Sequence, residues 1–129
     1  MIRLDNTTRT LTVAIGTNTT TNPIQVLVSY SDDTGTTYTG GTITSTISTT
    51  SVTICSAPAA NTIRNIDSVT VFNQDTVGSL ILISFDDNGT YYQLTNVTLQ
   101  TGETLQYTHG RGWETTDING CLLYTSRCV

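Results

Sequence analysis

Apolar and polar residues take turns along most of this chain, with a period of two. Leu11, Val13 and Ile15 alternate with polar neighbours, and so do Ile24, Val26, Val28 and Tyr30. That period places one apolar face on each segment and predicts half-buried β-strands. Between them, the threonine- and asparagine-rich run from Gly16 to Pro23 reads as an exposed connection, because its glycine and proline cannot continue a ladder. Ile43 and Ile47, then Val52 and Ile54 closing at Cys55, mark weaker, short or edge strands. Ser56 to Thr62, with Ala57, Pro58 and Asn61, breaks the pattern and fits a crossover between sheets.

The second half carries the stronger signal. Val69, Val71 and Phe72 precede Leu80 to Phe85, a run apolar on both faces, as a central strand would be. Asp87, Asn88 and Gly89 then supply a hairpin turn, since Asn-Gly tolerates the positive φ of a type I′ turn. Tyr91, Tyr92 and Leu94 return, Val97 and Leu99 continue the pattern, Gly102 turns the chain into Leu105 and Tyr107, and Gly110 to Trp113 bend it again. The expectation is an all-β fold: a β-sandwich, jelly-roll-like or Ig-like, of roughly nine to eleven short antiparallel strands. The segment Ser29 to Tyr38 echoes Ser84 to Tyr92, and both read as acidic hairpins whose likeness reflects shared turn chemistry rather than duplication.

Composition agrees. At 129 residues the chain fits one domain, 1–129, with candidate extended arms at 1–10 and 121–129. Hydrophobic residues make up 36% and charged residues 12%, which fits a folded chain rather than a charge-rich disordered one. Threonine recurs throughout, while lysine is absent and all five cations are arginines. Threonine is β-branched and fits a pleated surface better than a helix. The net charge of −5 argues against direct nucleic-acid binding, which needs clustered cations. No stretch has the length of a membrane span, and Met1 to Ile15 lacks the regions of a signal peptide, so synthesis in a cytoplasm is expected.

Candidate chemistry is sparse. Cys55, Cys121 and Cys128 form an odd set without CxxC spacing, which supports neither a disulfide framework nor zinc; a bond between Cys121 and Cys128 stays open. His109, between Thr108 and Gly110, reads as a surface turn histidine with no nucleophile assigned to it. Asp32, Asp33, Asp86 and Asp87 could in principle cut a glycosidic bond or chelate calcium, but acidic residues at hairpin tips ordinarily shape and solvate the turn. No catalytic residue and no cofactor is assigned. Trp113 could join Tyr91, Tyr92 and Tyr107 in a sugar-binding platform, or pack at the end of the sandwich with its indole N–H still able to find a partner. Arg111, a fork-like cation between glycines, is the other surface candidate. Tyr91, Tyr92, Arg111 and Trp113 are therefore the binding or interface candidates.

A family resemblance rests on Val69-Thr70-Val71-Phe72-Asn73-Gln74-Asp75-Thr76, a strand ending in an Asn-x-Asp turn, on the apolar stretch Leu94 to Leu99, and on Thr101 to Tyr107. It ends with His109-Gly110-Arg111-Gly112-Trp113 followed by Asp117-Ile118-Asn119-Gly120. These stretches, from Ile66 to Gly120 and somewhat under half of the chain, resemble a recurrent type of small structural protein of tailed bacteriophages, including cyanophages, found as capsid decoration (cement) or tail-associated proteins. Cys121 to Val129 departs from that pattern. The resemblance implies a non-enzymatic virion protein on the capsid surface, assembled in the bacterial cytoplasm. Its implied partners are the major capsid protein and further copies of itself as a homotrimer bridging capsomers. A tail or fibre module binding a host receptor or carbohydrate is the alternative.

Overall fold

The computed structural model describes residues 2–48 and 51–123. All ten regular elements among them are strands: β1 (Ile2–Leu4), β2 (Arg9–Ile15), β3 (Ile24–Asp33), β4 (Tyr38–Ile47), β5 (Ser51–Cys55), β6 (Ile63–Phe72), β7 (Ser79–Asp87), β8 (Thr90–Leu99), β9 (Thr104–Thr108) and β10 (Gly112–Thr116). They form two antiparallel sheets packed face to face, the β-sandwich that the period-two pattern predicts. One sheet runs β10-β9-β6-β3-β4, with β1 also paired to β6; the other runs β5-β2-β7-β8.

The alternating apolar positions of each strand meet between the sheets. Val26, Val28, Val69, Val71 and Leu105 face Leu11, Val13, Ile81, Ile83 and Leu99, all buried. Each such side chain contributes about 1.5–3 kcal/mol when removed from water. The crossover expected at Ser56 to Thr62 does carry the chain from β5 to β6, between sheets. The hairpin at Asn88 and Gly89 has φ of 52° and 95°, the pair of positive values that a type I′ turn needs. Its counterpart between β3 and β4 has a longer loop, Thr34 to Thr37, closed by Thr34 N–H donating to the Thr37 carbonyl at 3.1 Å.

Two expectations are modified. β7 lies inside its sheet, as a central strand should, but only one of its faces is fully covered: Leu80 is 41% exposed on the outer face. Among the described residues no further layer packs against that face. In the segment read as a candidate N-terminal arm, residues 2–4 form β1, with Ile2 opposite Ile66 and Leu4 opposite Arg64, and Leu4 is buried. Of the candidate C-terminal arm, residues 124–129, Cys128 among them, lie outside the described residues.

β6 organises the larger sheet. β3 covers one of its sides, while β1 takes Arg64 to Ile66 and β9 takes Ser68 to Phe72 on the other. Asp67 falls between those two partners and is the extra residue where the β3–β6 register shifts. Its carboxylate accepts the Ser31 hydroxyl at 2.6 Å and its carbonyl accepts the His109 N–H at 2.9 Å. The irregularity is thereby hydrogen-bonded rather than left open.

Candidate functional site

The four surface candidates do not converge. Tyr91 and Tyr92 are consecutive on β8, so their side chains leave opposite faces of the strand. Both are exposed, at 61% and 56%. Tyr92 turns toward the inner side and meets Phe85 edge-on at 6.4 Å between ring centroids, whereas Tyr91 stands opposite Asp86. Trp113 sits in the other sheet, on β10, half-buried against Tyr107 with ring centroids 5.0 Å apart. Packing at the flank of the sandwich is thus its position, in the sheet that does not contain Tyr91 and Tyr92. Arg111 is 68% exposed along its side chain and pairs with Glu114 at 3.0 Å across the β9–β10 turn.

Each hairpin aspartate already has a protein partner. Asp32 binds Arg64, Asp33 accepts the Gly35 N–H at 2.8 Å, and Asp86 accepts the Gly89 N–H at 2.8 Å. Asp87 meets Arg9 at 3.4 Å and the Thr8 hydroxyl at 3.3 Å. Asp5, also paired with Arg9, together with Asp87 raises the Arg9 pKa, chiefly through the Asp5 hydrogen bond. The two acidic hairpins belong to different sheets. Among the described residues, no three His, Cys, Asp or Glu side chains are grouped to share a metal ion. His109 is exposed in the β9–β10 turn.

The polar groups that the fold does bring together lie elsewhere. Arg64 on β6 faces Asp32 on β3 and binds it with both forks, Nε to Oδ1 at 2.8 Å and an Nη to Oδ2 at 2.9 Å. Its other Nη donates to the Ser56 carbonyl at 2.9 Å, tying the crossover down, and its guanidinium lies 4.1 Å from the centroid of the Tyr30 ring. The Asp32 hydrogen bonds hold the Arg64 pKa well above its ordinary value despite burial. Next to it, burial pushes the Cys55 thiol upward, partly opposed by the Arg64 charge. A protonated, enclosed thiol is chemically inert. The arginine was legible only as a cation in phase with the apolar face, two residues before Ile66, which signals that it needs an inward partner without naming one.

The second cluster closes one end of the sandwich. Fully buried Asn73 donates from its side-chain nitrogen to the Val77 and Leu99 carbonyls at 3.0 and 2.8 Å, and its oxygen accepts the Asp75 N–H at 2.9 Å. Asp75 in turn gathers the loop between β2 and β3, accepting the N–H groups of Thr20, Thr21 and Asn22 at 2.8, 2.8 and 3.1 Å. Those donors, Thr20 first, hold its carboxyl far below the usual carboxylate range. The Asn-x-Asp turn read from the sequence is therefore a clamp between the two sheets' connections.

At the opposite end the sandwich is less tightly closed. A hollow of about 470 Å³ opens between β1 and the β7–β8 pair, floored by Ile2, Phe85 and Leu94 and rimmed by Arg3, Arg9 and Asp87. A smaller one of about 190 Å³ runs along the flank between Thr95 to Val97 of β8 and Trp113 to Thr115 of β10. Neither gathers a nucleophile with a base. The described surface carries many hydroxyls, together with scattered charges and exposed side chains such as Leu27, Leu80, Tyr91 and Ile118. No family model, curated protein or solved structure matches the chain.

Proposed function

We propose that this chain is a structural protein of a tailed-bacteriophage virion, a capsid decoration (cement) protein that binds the major capsid protein and bridges capsomers as a homotrimer. The observation that carries the reading is where the residues of the resemblance lie. Asn73 and Asp75 form the clamp that closes one end of the sandwich, and Trp113 packs on Tyr107 to finish its flank. The likeness to phage decoration proteins thus falls on framework rather than on surface chemistry. A cement protein works by adding interface area to a shell without turnover, and it needs rigid ends and wide faces more than a cleft.

The outer face of the larger sheet suits that role. Across the larger sheet, the outward positions Thr44, Leu27, Thr70 and Gln106 fall in one cross-strand row, and Thr46, Gln25, Phe72 and Thr104 in the next. No charge interrupts these two rows until Glu114 of β10. Leu27 is 41% exposed on that surface. Such a face can lie against another protein with little charge desolvation.

The alternative, a tail or fibre module that binds a receptor or carbohydrate, draws on the exposure of Tyr91 and Tyr92 at the β8 edge. Electron cryomicroscopy of particles from the encoding phage, with copies counted per particle, tests the two together. Density on the shell at three-fold or quasi-three-fold axes is expected. Density confined to the tail would replace the cement reading with the alternative, and absence from the particle would remove both.

A further inference from the structure

Among the described residues the two sheets end in five edge strands of unequal character, the shortest being β1 with three residues. β5 and β10 are short, five residues each, whereas β4 and β8 are ten residues each. Natural edges of that length are ordinarily blunted by lysine, proline, inward charges or bulges. β4, Tyr-Thr-Gly-Gly-Thr-Ile-Thr-Ser-Thr-Ile, carries no charge and no proline, and its register with β3 is unbroken from Ile24–Ile47 to Asp33–Tyr38. β8, Thr-Tyr-Tyr-Gln-Leu-Thr-Asn-Val-Thr-Leu, is equally free of charge and proline, with one bulge at Leu94 that leaves Thr95 to Leu99 regular.

These edges belong to different sheets and to opposite flanks, since β4 lies over β5 and β8 over β9. We propose that the chain associates head to tail with copies of itself, the β4 edge of one copy pairing antiparallel with the β8 edge of the next. Charge favours a second copy as the occupant and sets the direction. A chain of net charge −5 repels its own copies over most approaches, but neither of these edges contributes to that charge. Asp33 flanks the start of β4 and Asp86 the start of β8, each accepting a backbone N–H, whereas their neighbours Asp32 and Asp87 are paired with Arg64 and Arg9. Parallel pairing would bring the two acidic corners together. Antiparallel pairing puts them at opposite ends of a strand about 30 Å long, beyond the screening length of roughly 8 Å at physiological salt.

The contact is heterologous, so any open assembly keeps one free β4 edge and one free β8 edge until a ring closes, and a ring of three meets the trimer in the functional reading. The inference deepens that trimer and does not rest on the virion partner. It concerns the purified chain, so its failure would leave shell binding to be decided on particles.

Backbone N–H groups of successive edge residues point alternately toward and away from the neighbouring strand. One of Thr44→Pro and Ser45→Pro, and one of Asn96→Pro and Val97→Pro, therefore removes an outward N–H while sparing the internal ladder. The variant of each pair with wild-type circular dichroism is taken into sedimentation velocity over a concentration series. Where neither proline folds, Thr44→Lys or Asn96→Lys, at exposed positions, replaces it. The full chain is expected to associate to trimer. Each edge variant alone is expected to lose association at least tenfold, and the equimolar mixture of the two is expected to recover a one-to-one dimer through the remaining intact edges. A monomeric full chain, an edge variant that still associates, or a mixture that stays monomeric each overturns the proposal.

Discussion

Arg64 and Asp32 stand directly opposite each other on β6 and β3 and share two hydrogen bonds of 2.8 and 2.9 Å. Their side chains are only 11% and 24% exposed, so the pair is sheltered from solvent screening. It also fastens the crossover after β5, through the Ser56 carbonyl, where the chain passes from one sheet to the other.

Removing one partner leaves the other sheltered and unpaired. Asp32→Ala is expected to cost about 2–4 kcal/mol in urea unfolding, with Arg64→Lys somewhat less, because an ammonium cannot reproduce the two-pronged geometry. The double replacement of both residues by apolar side chains should cost less than the sum of the two single changes.

The Asn73 side chain makes three hydrogen bonds, to the Val77 and Leu99 carbonyls and from the Asp75 N–H. Asn73→Ala leaves the Val77 and Leu99 carbonyls and the Asp75 N–H without that partner, and a loss of about 2–4 kcal/mol is expected from equilibrium unfolding. Gln74, whose side-chain amide donates to the Pro23 carbonyl from a half-buried position, should tolerate Gln74→Ala with a smaller loss.

Asp75 gives the clamp a pH dependence of known sign. Its folded pKa lies below the unfolded value of roughly 3.9, so the folded state holds the proton less tightly. The stabilisation is complete above the unfolded value and disappears as pH falls through it toward the folded one. Thermal melts between about pH 6 and pH 2 should show a falling Tm for the full chain in the acidic part of that range. Asp75→Asn should start from a lower Tm at neutral pH and lose less of it on acidification.

Tyr30 and Gly41 are cross-strand partners, and the tyrosine ring occupies the place a side chain at 41 would take. A Cβ there would sit 2.5 Å from the ring's Cζ and hydroxyl, whereas one at Gly40 would approach nothing closer than 3.8 Å. Gly41→Ala is therefore expected to cost about 1–3 kcal/mol, while Gly40→Ala stays near neutral. In the background of Tyr30→Ala the Gly41→Ala cost should largely vanish, which a double-mutant cycle reads directly.

What the residues along the chain determined by themselves was local. Alternation of apolar positions set which side chains of β2, β3, β6 and β9 turn inward, because strand geometry reverses at every residue. Asn88 and Gly89 set the β7–β8 turn, because their φ preferences act within two residues. The resemblance singled out Asn73, Asp75 and Trp113 without telling what they hold. Tertiary structure decided everything that depends on register between distant strands. It put Arg64 against Asp32, laid β1 and β9 end to end along β6, separated Tyr91 and Tyr92 from Trp113, and left β4 and β8 as the long edges. Hydrophobic alternation names a face but not a neighbour, and many pairings bury the same face. The choice among them is made by the few polar groups that must find partners once water is excluded.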